Sequence, residues 1–226
     1  MYHYIRDDDP LDTIITHNLS IPPSVFDAQM SFVEKLAKSG SITLMKGNEF
    51  MNALKSDCYP SEHIWIFTDD DGWSDTYSDL MPIATNHGIP FFFGIIGNRI
   101  DRHGFITSGE VRALADNPLF TISSHSLAHD DESKMSVEKE QEEMCESKKL
   151  LENITGKSVN TYIYPSGRMN ASGSTENLRI CGYIIAWTTN FGKNFDPMDP
   201  HSSEINRIRV GRDDGEAFFE KYLKTD

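Results

Sequence analysis

Two short stretches of the chain carry residue types that can bind a metal ion and activate water. Three carboxylates, Asp69–Asp71, follow the apolar run Ile64–Phe67. Two imidazoles, His125 and His129, follow the β-like segment Thr121–Ser124. One carboxylate oxygen and two neutral imidazole nitrogens suit a zinc-type ion and leave a coordination position open for water. A second carboxylate beside the ligand can deprotonate that water, so the pattern predicts a metal-dependent hydrolase.

Each stretch also has a simpler interpretation. Adjacent aspartates before Gly72 are typical of a solvated turn, and eight histidines in the chain make one close pair unsurprising. The aspartates could also form a calcium loop, but calcium prefers oxygen ligands and the histidines argue against it. Ser126 stands where a metalloprotease HExxH motif has its glutamate, so that class is not indicated. The placement of both stretches directly after β-like segments favours one shared site.

Length and composition narrow the class of protein. The 226 residues, with 38% hydrophobic and 11% aromatic residues, predict one folded domain over 1–226. The net charge of -14 argues against nucleic-acid or anionic-membrane partners. We find no run of about 18 apolar residues and therefore expect no membrane-spanning helix. Met1–Ile5 does not begin a secretory signal. We therefore expect an extracytoplasmic protein if an export segment has been removed, and a cytoplasmic one otherwise.

The three cysteines give no clear pattern. Cys58, Cys145 and Cys181 are odd in number and widely separated. They match neither a disulfide framework nor a CxxC metal site, so we expect ordinary core or surface cysteines.

Strand-like and helix-like segments alternate along the whole chain. This alternation favours a parallel sheet with crossover helices, and six or seven strands suit a compact or incomplete barrel. In such folds the active site lies at the carboxyl ends of the strands, where both acidic and histidine stretches fall. The expected strands are Ile42–Leu44, Ile64–Thr68, Phe91–Ile96, Thr121–Ser124, Thr161–Tyr164, Tyr183–Thr188 and Ile205–Val210. The expected helices are one from Pro22 to Gly40, Asp75–Asn86, one capped by Thr107 and Glu110, Ser136–Glu152, Thr175–Cys181 and one containing Phe218–Leu223.

These stretches resemble the motifs of a known family. Thr68–Gly72 is similar to the TFDDG motif of polysaccharide deacetylases, the NodB-homology group, with Asp in place of the usual Phe. His125–His129 matches the family's H-S/T-x-x-H motif, and Tyr164–Gly167 resembles its third motif in the form YPYG. Tyr2–Ile5 and Asn206–Val210 resemble the two ends of the subgroup that deacetylates poly-N-acetylglucosamine.

The resemblance implies a fold, a reaction and a role for each matched residue. The fold would be a distorted, TIM-like (β/α)7 barrel. Asp71, His125 and His129 would bind one divalent ion, zinc first and cobalt or nickel as alternatives, and Asp70 would be the general base. The backbone N–H of Ser166 could stabilise the tetrahedral oxyanion. The substrate would be an N-acetylated glycan, which yields acetate and a free amine.

Two family features are missing from their usual positions. Many members carry Arg two residues before the proline of the third motif, where it pairs with the base, but this chain has Ile163 there. The general-acid histidine of the last strand is also absent, because Asn206–Ile208 occupy that region. His201 and His3 are the nearest alternatives, and a structural or solvated role is the favoured interpretation for each.

The tryptophans admit both binding and packing roles. Trp187 ends an apolar strand and could form a hydrophobic wall for the acetyl methyl group or a face for a sugar, or it could be a core residue. We expect Trp73 near the rim of the cleft and Trp65 in packing.

We therefore predict a metal-dependent hydrolase that removes N-acetyl groups from an N-acetylglucosamine-containing polysaccharide. Two alternatives stay open from the sequence. One is a barrel that keeps the metal ligands and binds carbohydrate with weak or no turnover, as the missing arginine and histidine suggest. The other is a related hydrolase of carbon–nitrogen bonds in a small molecule.

Overall fold

The computed structural model describes residues 1–7, 9–56, 58–60, 63–192 and 205–223. Its strands are β1 (Tyr4–Ile5), β2 (Ser20–Ile21), β3 (Thr43–Leu44), β4 (Ile64–Trp65), β5 (Phe67–Asp69), β6 (Phe91–Ile95), β7 (Phe120–Ser124), β8 (Thr161–Ile163), β9 (Ile185–Phe191) and β10 (Ile205–Arg207). Its α-helices are α1 (Ile14–Leu19), α2 (Pro23–Lys38), α3 (Gly47–Ser56), α4 (Met81–His87), α5 (Ser108–Asp116), α6 (Val137–Thr155), α7 (Ser174–Cys181) and α8 (Glu216–Lys221). A π-helical turn, Thr76–Leu80, leads into α4.

The central sheet has six parallel strands in the order β10-β9-β8-β7-β6-β5. Helices connect β5 through β9 in sequence, so the predicted parallel sheet with crossover helices is confirmed. The sheet curls into a half-barrel. A complete (β/α)7 barrel is not confirmed, because β5 and β10 end the hydrogen-bonded sheet within the described residues and the pairs β1–β2 and β3–β4 lie outside it.

The first residues of the chain lie between the two edges of this half-barrel. The Tyr2 N–H donates to the Thr68 carbonyl at 2.9 Å, and the Asp70 N–H donates to the Tyr2 carbonyl at 3.1 Å. On the other side, the Val210 N–H donates to the Met1 carbonyl at 3.2 Å. The N-terminal segment therefore takes the place of a seventh strand and brings the residues around it to the strand ends.

Alternation of side chains divides the strands between two hydrophobic clusters. Phe91 and Phe93 of β6 belong to the large cluster under the surrounding helices. Phe92 points to the other face and joins a smaller cluster with Trp187. Helix α3 covers that smaller cluster, where the rings of Phe50 and Phe92 meet edge-on with centroids 6.2 Å apart. The interior of the half-barrel is thus packed below the strand ends and leaves only those ends for chemistry.

Strong local signals predicted the helix ends correctly, and weak ones were missed. Thr107 and Glu110 form the expected capping box, and Gly88 ends α4 in the left-handed conformation. Helices α1 and α3 and the strands β1 and β2 were not predicted. The two-residue strands and the six-residue α1 are too short to show a periodicity, whereas the ten-residue α3 is amphipathic and its pattern was missed. The expected strand Ile64–Thr68 is interrupted at Ile66 and belongs to two sheets. No helix in the described part of the chain combines the length and apolar character needed to cross a bilayer.

The expectation of unpaired cysteines was wrong for two of the three. Cys145 on α6 and Cys181 at the end of α7 form a disulfide, with Cα atoms 4.9 Å apart. Cys58 is free and exposed. The 36-residue separation of the pair hid it, since nothing in the sequence indicates that α6 and α7 pack together.

Removing this disulfide should destabilise the protein. We expect Cys145→Ser with Cys181→Ser to lower the free energy of unfolding by about 2–4 kcal/mol, because the unfolded chain gains entropy when the loop opens. Urea denaturation of the double variant against the oxidised parent measures this. Cys58→Ser is the control and should leave the midpoint unchanged; an equal midpoint for parent and double variant would contradict the disulfide.

Candidate active site

The candidate catalytic residues meet at the carboxyl ends of two strands. Asp70 and Asp71 follow β5, and His125 follows β7, two strands away across β6. Gly94 of β6 lies between them, and a Cβ there would stand 2.8 Å from Ile163 Cδ1 and 3.5 Å from His125 Cβ. Glycine at this position therefore avoids a clash with the Ile163 side chain, and the structure places the two motifs at one end of the sheet.

Asp71, His125 and His129 form a three-residue cluster suited to a metal ion. Oδ1 of Asp71 lies 3.4 Å from Nε2 of His125 and 3.5 Å from Nε2 of His129. One ligand atom from each residue lies within 4.8 Å of the others. One oxygen and two nitrogen donors at this spacing fit a tetrahedral divalent ion with a coordination position left for water. The residues present therefore fit a divalent metal ion.

Neighbouring groups orient these ligands. Nδ1 of His125 lies 2.7 Å from the Ile163 carbonyl, which can only accept, so this nitrogen donates and Nε2 faces the cluster. Trp73 Nε1 donates to Oδ2 of Asp71 at 3.0 Å, which leaves Oδ1 for the histidines. Burial by itself raises the pKa of Asp71, but the adjacent His125 outweighs it and lowers that pKa below its usual value. Asp71 is therefore an anion at neutral pH.

The turns that carry the ligands have an unusual backbone conformation. Within the described part of the chain, five non-glycine residues have positive φ, and four of them lie in the site motifs. They are Asp71 (77°), Ser126 (60°), His129 (64°) and Ser166 (54°). Each such residue costs on the order of 1–3 kcal/mol, and residues of this kind cluster at functional sites. Ser126 Oγ accepts from the His129 N–H at 2.8 Å and stabilises one of these turns.

Asp70 is paired with Arg207, which comes from β10 at the opposite edge of the sheet. The guanidinium donates to both carboxylate oxygens, from Nη1 to Oδ1 at 2.7 Å and from Nη2 to Oδ2 at 2.8 Å. It also donates to the Thr188 carbonyl and to Thr68 Oγ1. Burial by itself raises the pKa of Asp70, but the charge and hydrogen bonds of Arg207 outweigh it and hold that pKa well below its usual range. Asp70 is therefore ionised and fixed in orientation.

His3 lies beside the same carboxylate. Its Nε2 is 4.0 Å from Oδ2 of Asp70, and its side chain is 13% exposed. Burial lowers the pKa of His3, and the nearby Asp70 and Asp71 charges offset this only in part. The N-terminal segment places it there through the backbone hydrogen bonds of Tyr2. A histidine thus stands at the edge of the metal cluster, although none occurs among residues 206–208.

A family model for polysaccharide deacetylases matches residues 58–183, more than half of the chain. The chain belongs to the polysaccharide deacetylase family. The match spans the acidic, histidine and third motifs, and it agrees with the NodB-homology group that they resemble. Membership places the chain among hydrolases that act on polysaccharides.

Similar proteins cover almost the whole deacetylase chain. YxkH of Bacillus subtilis, whose assignment as a polysaccharide deacetylase is itself provisional, is 27% identical over 92% of this chain and 72% of its own length. The structure of Streptococcus pyogenes deacetylase PplD in complex with acetate matches with a TM-score of 0.86 and 20% identity, over 99% of this chain and 96% of that one. A de-N-acetylase from Aggregatibacter actinomycetemcomitans matches with a TM-score of 0.80 and 15% identity, over 98% and 97%. At these identities the solved structures establish the fold alone.

The other residues that the sequence of this deacetylase singled out lie partly near the strand ends and partly in the packed interior. Ser166 is exposed in a short turn at Pro165–Gly167, after β8, and its oxyanion role stays a prediction. Trp187 is only 2% exposed and belongs to the interior cluster, which favours packing over a face for substrate. Trp73 contacts Asp71 as expected of a residue near the site. Trp65 packs against Phe219 with ring centroids 6.0 Å apart, as predicted. His201 lies outside the described residues.

Sequence reasoning missed the two residues that pair with or approach Asp70. Arg207 was noticed only as a residue standing where a histidine was expected, and His3 was given a structural or solvated role. Their partner lies 137 residues from Arg207 along the chain, so no local pattern connects them. The one available signal was that both lie in the terminal segments that resemble the poly-N-acetylglucosamine subgroup.

Loss of Arg207 should leave Asp70 as an uncompensated buried charge. We expect Arg207→Met to lower the free energy of unfolding by about 3–5 kcal/mol. The double variant Arg207→Met, Asp70→Asn should lose clearly less, because a neutral amide needs no cationic partner. Urea denaturation of the parent, Arg207→Met, Asp70→Asn and the double variant gives the coupling. Arg209→Met, at an exposed neighbouring position, is the matched control. Strictly additive losses of unfolding free energy would show that Asp70 and Arg207 do not stabilise each other.

Proposed function

We propose that this protein is a metal-dependent N-deacetylase acting on an N-acetylglucosamine-containing polysaccharide. The observation that carries the proposal is the convergence of a three-donor metal cluster, an ionised carboxylate and a histidine at one end of the sheet. An amide hydrolase needs these groups to polarise the carbonyl, deprotonate water and protonate the amine.

Asp71, His125 and His129 would hold the divalent ion, for which zinc is our first choice and cobalt or nickel the alternatives. When bound, the ion supplies Lewis-acid chemistry that polarises the acetyl carbonyl and makes water more acidic. The backbone N–H of Ser166 is our candidate for a second contact to the developing oxyanion, because it lies in the turn after β8.

Asp70 accepts the proton of the attacking water. Its bidentate pairing with Arg207 fixes both oxygens and keeps the carboxylate ionised, so the group is ready to accept a proton in every catalytic cycle. The pairing also lowers the basicity of Asp70, so a bound ion would have to make the water more acidic for this transfer. Arg207 is in this account a positioning residue.

His3 in its imidazolium form donates the proton that the leaving amine needs, and the proton that Asp70 took from water then restores the imidazolium. Its Nε2 lies 4.0 Å from Asp70 Oδ2, so the proposed acid and base are direct neighbours. The water oxygen and acetyl group then leave as acetate, and the sugar nitrogen leaves as the amine. The position of His3 on the N-terminal segment replaces the last-strand histidine of the family pattern.

Two proteins that share this fold have descriptions that agree with the proposed reaction. One match is described as a de-N-acetylase, and another was solved with acetate, the product we propose.

We further propose that the protein acts outside the cytoplasm, where the Cys145–Cys181 disulfide would persist. The inactive carbohydrate-binding alternative rested on a missing arginine and histidine, and Arg207 and His3 at Asp70 now favour turnover.

Acetate release from N-acetylglucosamine oligomers tests the proposal. The protein is stripped with chelator and reloaded with zinc or cobalt. We expect release only after reloading, none from His125→Ala, and a loss of at least about 100-fold in kcat for Asp70→Asn, which keeps the shape but cannot accept the proton. One tightly bound ion per chain with no acetate from β-1,4- or β-1,6-linked oligomers would reject this substrate and favour the binding protein or the small-molecule hydrolase.

Replacement of His3 tests the proton donor separately. We expect His3→Gln to reduce kcat by roughly 10²–10⁴-fold, the usual contribution of a general acid. Its metal content should stay at the parental level, because His3 is not a ligand. His63→Gln, altering the histidine that precedes β4, is the control for loss of an imidazole. Parental kcat in His3→Gln would remove His3 from the mechanism.

A further inference from the structure

A single buried carboxylate binds the backbone between the two metal-ligand histidines. Oε2 of Glu143, on α6, accepts the N–H of Leu127 at 3.1 Å and the N–H of Ala128 at 2.8 Å. The Glu143 side chain is 3% exposed. Backbone donors on a carboxylate form charge-assisted hydrogen bonds, which are stronger than those between neutral groups. The backbone of this loop is thus held by the carboxylate of Glu143, which lies 15 residues after Ala128 on helix α6.

The carbonyl groups of the same loop are fastened from the opposite side. The Gly97 N–H donates to the Ser126 carbonyl at 3.1 Å, and the Asn98 N–H donates to the Leu127 carbonyl at 2.8 Å. The loop therefore lies between the turn after β6 and helix α6, with its backbone groups bonded on both sides. Ser126 and His129, at either end of the bonded residues, have positive φ. Positive φ at non-glycine residues persists only where surrounding contacts hold the backbone in that conformation.

The other carboxylate oxygen of Glu143 has a cationic neighbour. Nζ of Lys139 lies 3.4 Å from Glu143 Oε1 and 3.1 Å from Oε2 of Glu142, one residue earlier. Glu142 is 59% exposed and makes no contact with the loop in the hydrogen bonds of the described residues. Adjacent glutamates on one helix thus share a lysine, but only one of them reaches the metal-ligand loop.

We propose that Glu143 is the positioning residue of the metal site, setting the distance between His125 and His129 through the Leu127 and Ala128 amides. This inference rests on the proposed metal-dependent function. Loss of the carboxylate releases two N–H groups, and the strained loop relaxes away from the spacing that the ligands need. The effect falls on metal affinity and on kcat, while KM for the glycan stays near the parental value because Glu143 touches no substrate.

Metal affinity gives the first test. Zinc affinity of the chelator-stripped protein is measured by competition with a chromophoric chelator, and the cobalt form by its visible absorption spectrum. We expect Glu143→Ala to bind zinc about 10–100-fold more weakly, the usual effect of an outer-shell partner, with a changed cobalt spectrum. Glu143→Gln, which keeps one acceptor without the charge, should lie between Glu143→Ala and the parent. Glu142→Gln is the matched control for charge and helix position and should behave as the parent.

Amide hydrogen exchange of the metal-free protein gives a second test that needs no metal. We expect the Leu127 and Ala128 amides to exchange at least about tenfold faster in Glu143→Gln than in the parent, and unchanged in Glu142→Gln. Equal exchange and equal zinc affinity in Glu143→Gln and Glu142→Gln would overturn the inference. A parent that binds no zinc, with exchange accelerated as expected, would instead reject the proposed function and retain Glu143 as the residue that positions this loop.

Discussion

The buried ion pair between Arg207 and Asp70 is the constraint on which the rest of the structure depends. Burying either charge alone costs several kcal/mol, so each requires the other in place. Asp70 follows β5 and Arg207 ends β10, the two edges of the six-stranded sheet. The pair, with the further hydrogen bond from Arg207 to Thr68 Oγ1 on β5, therefore joins the two edge strands across the interior of the half-barrel. The same contact that closes the fold orients the proposed base.

The metal cluster is assembled by a different kind of contact. Its three ligands stand on turns with positive φ at Asp71 and His129, where side chains alone do not fix the backbone. Backbone groups supply the orientation instead, such as the Ile163 carbonyl for His125 and the amides that Glu143 binds. The strand ends set where each of the three side chains lies, and these hydrogen bonds set which way it faces. Asp71 Oδ1 therefore lies at similar distances, 3.4 and 3.5 Å, from Nε2 of His125 and of His129.

In the proposed mechanism the family roles are kept, although the residues that fill them have moved. The arginine that pairs with the proposed base comes from β10, and the position before the third motif holds Ile163, whose carbonyl orients His125. The proposed acid is on the N-terminal segment, as His3, and not on the last strand. Because these segments lie side by side across the gap between the sheet edges, either can present a side chain to Asp70. Geometry at the strand ends, and not order along the chain, defines the site.

The sequence by itself determined the features that depend on near neighbours. Resemblance to the family motifs assigned Asp71, His125 and His129 to one cluster, and apolar periodicity with capping signals predicted most of the parallel sheet and its longer helices. Only the tertiary structure decided that Arg207 pairs with Asp70, that His3 approaches it, and that the half-barrel has a gap spanned by the N-terminal segment. The physical reason is that these contacts join residues far apart in the chain, and a single sequence carries no local pattern for a pairing that chain folding alone creates.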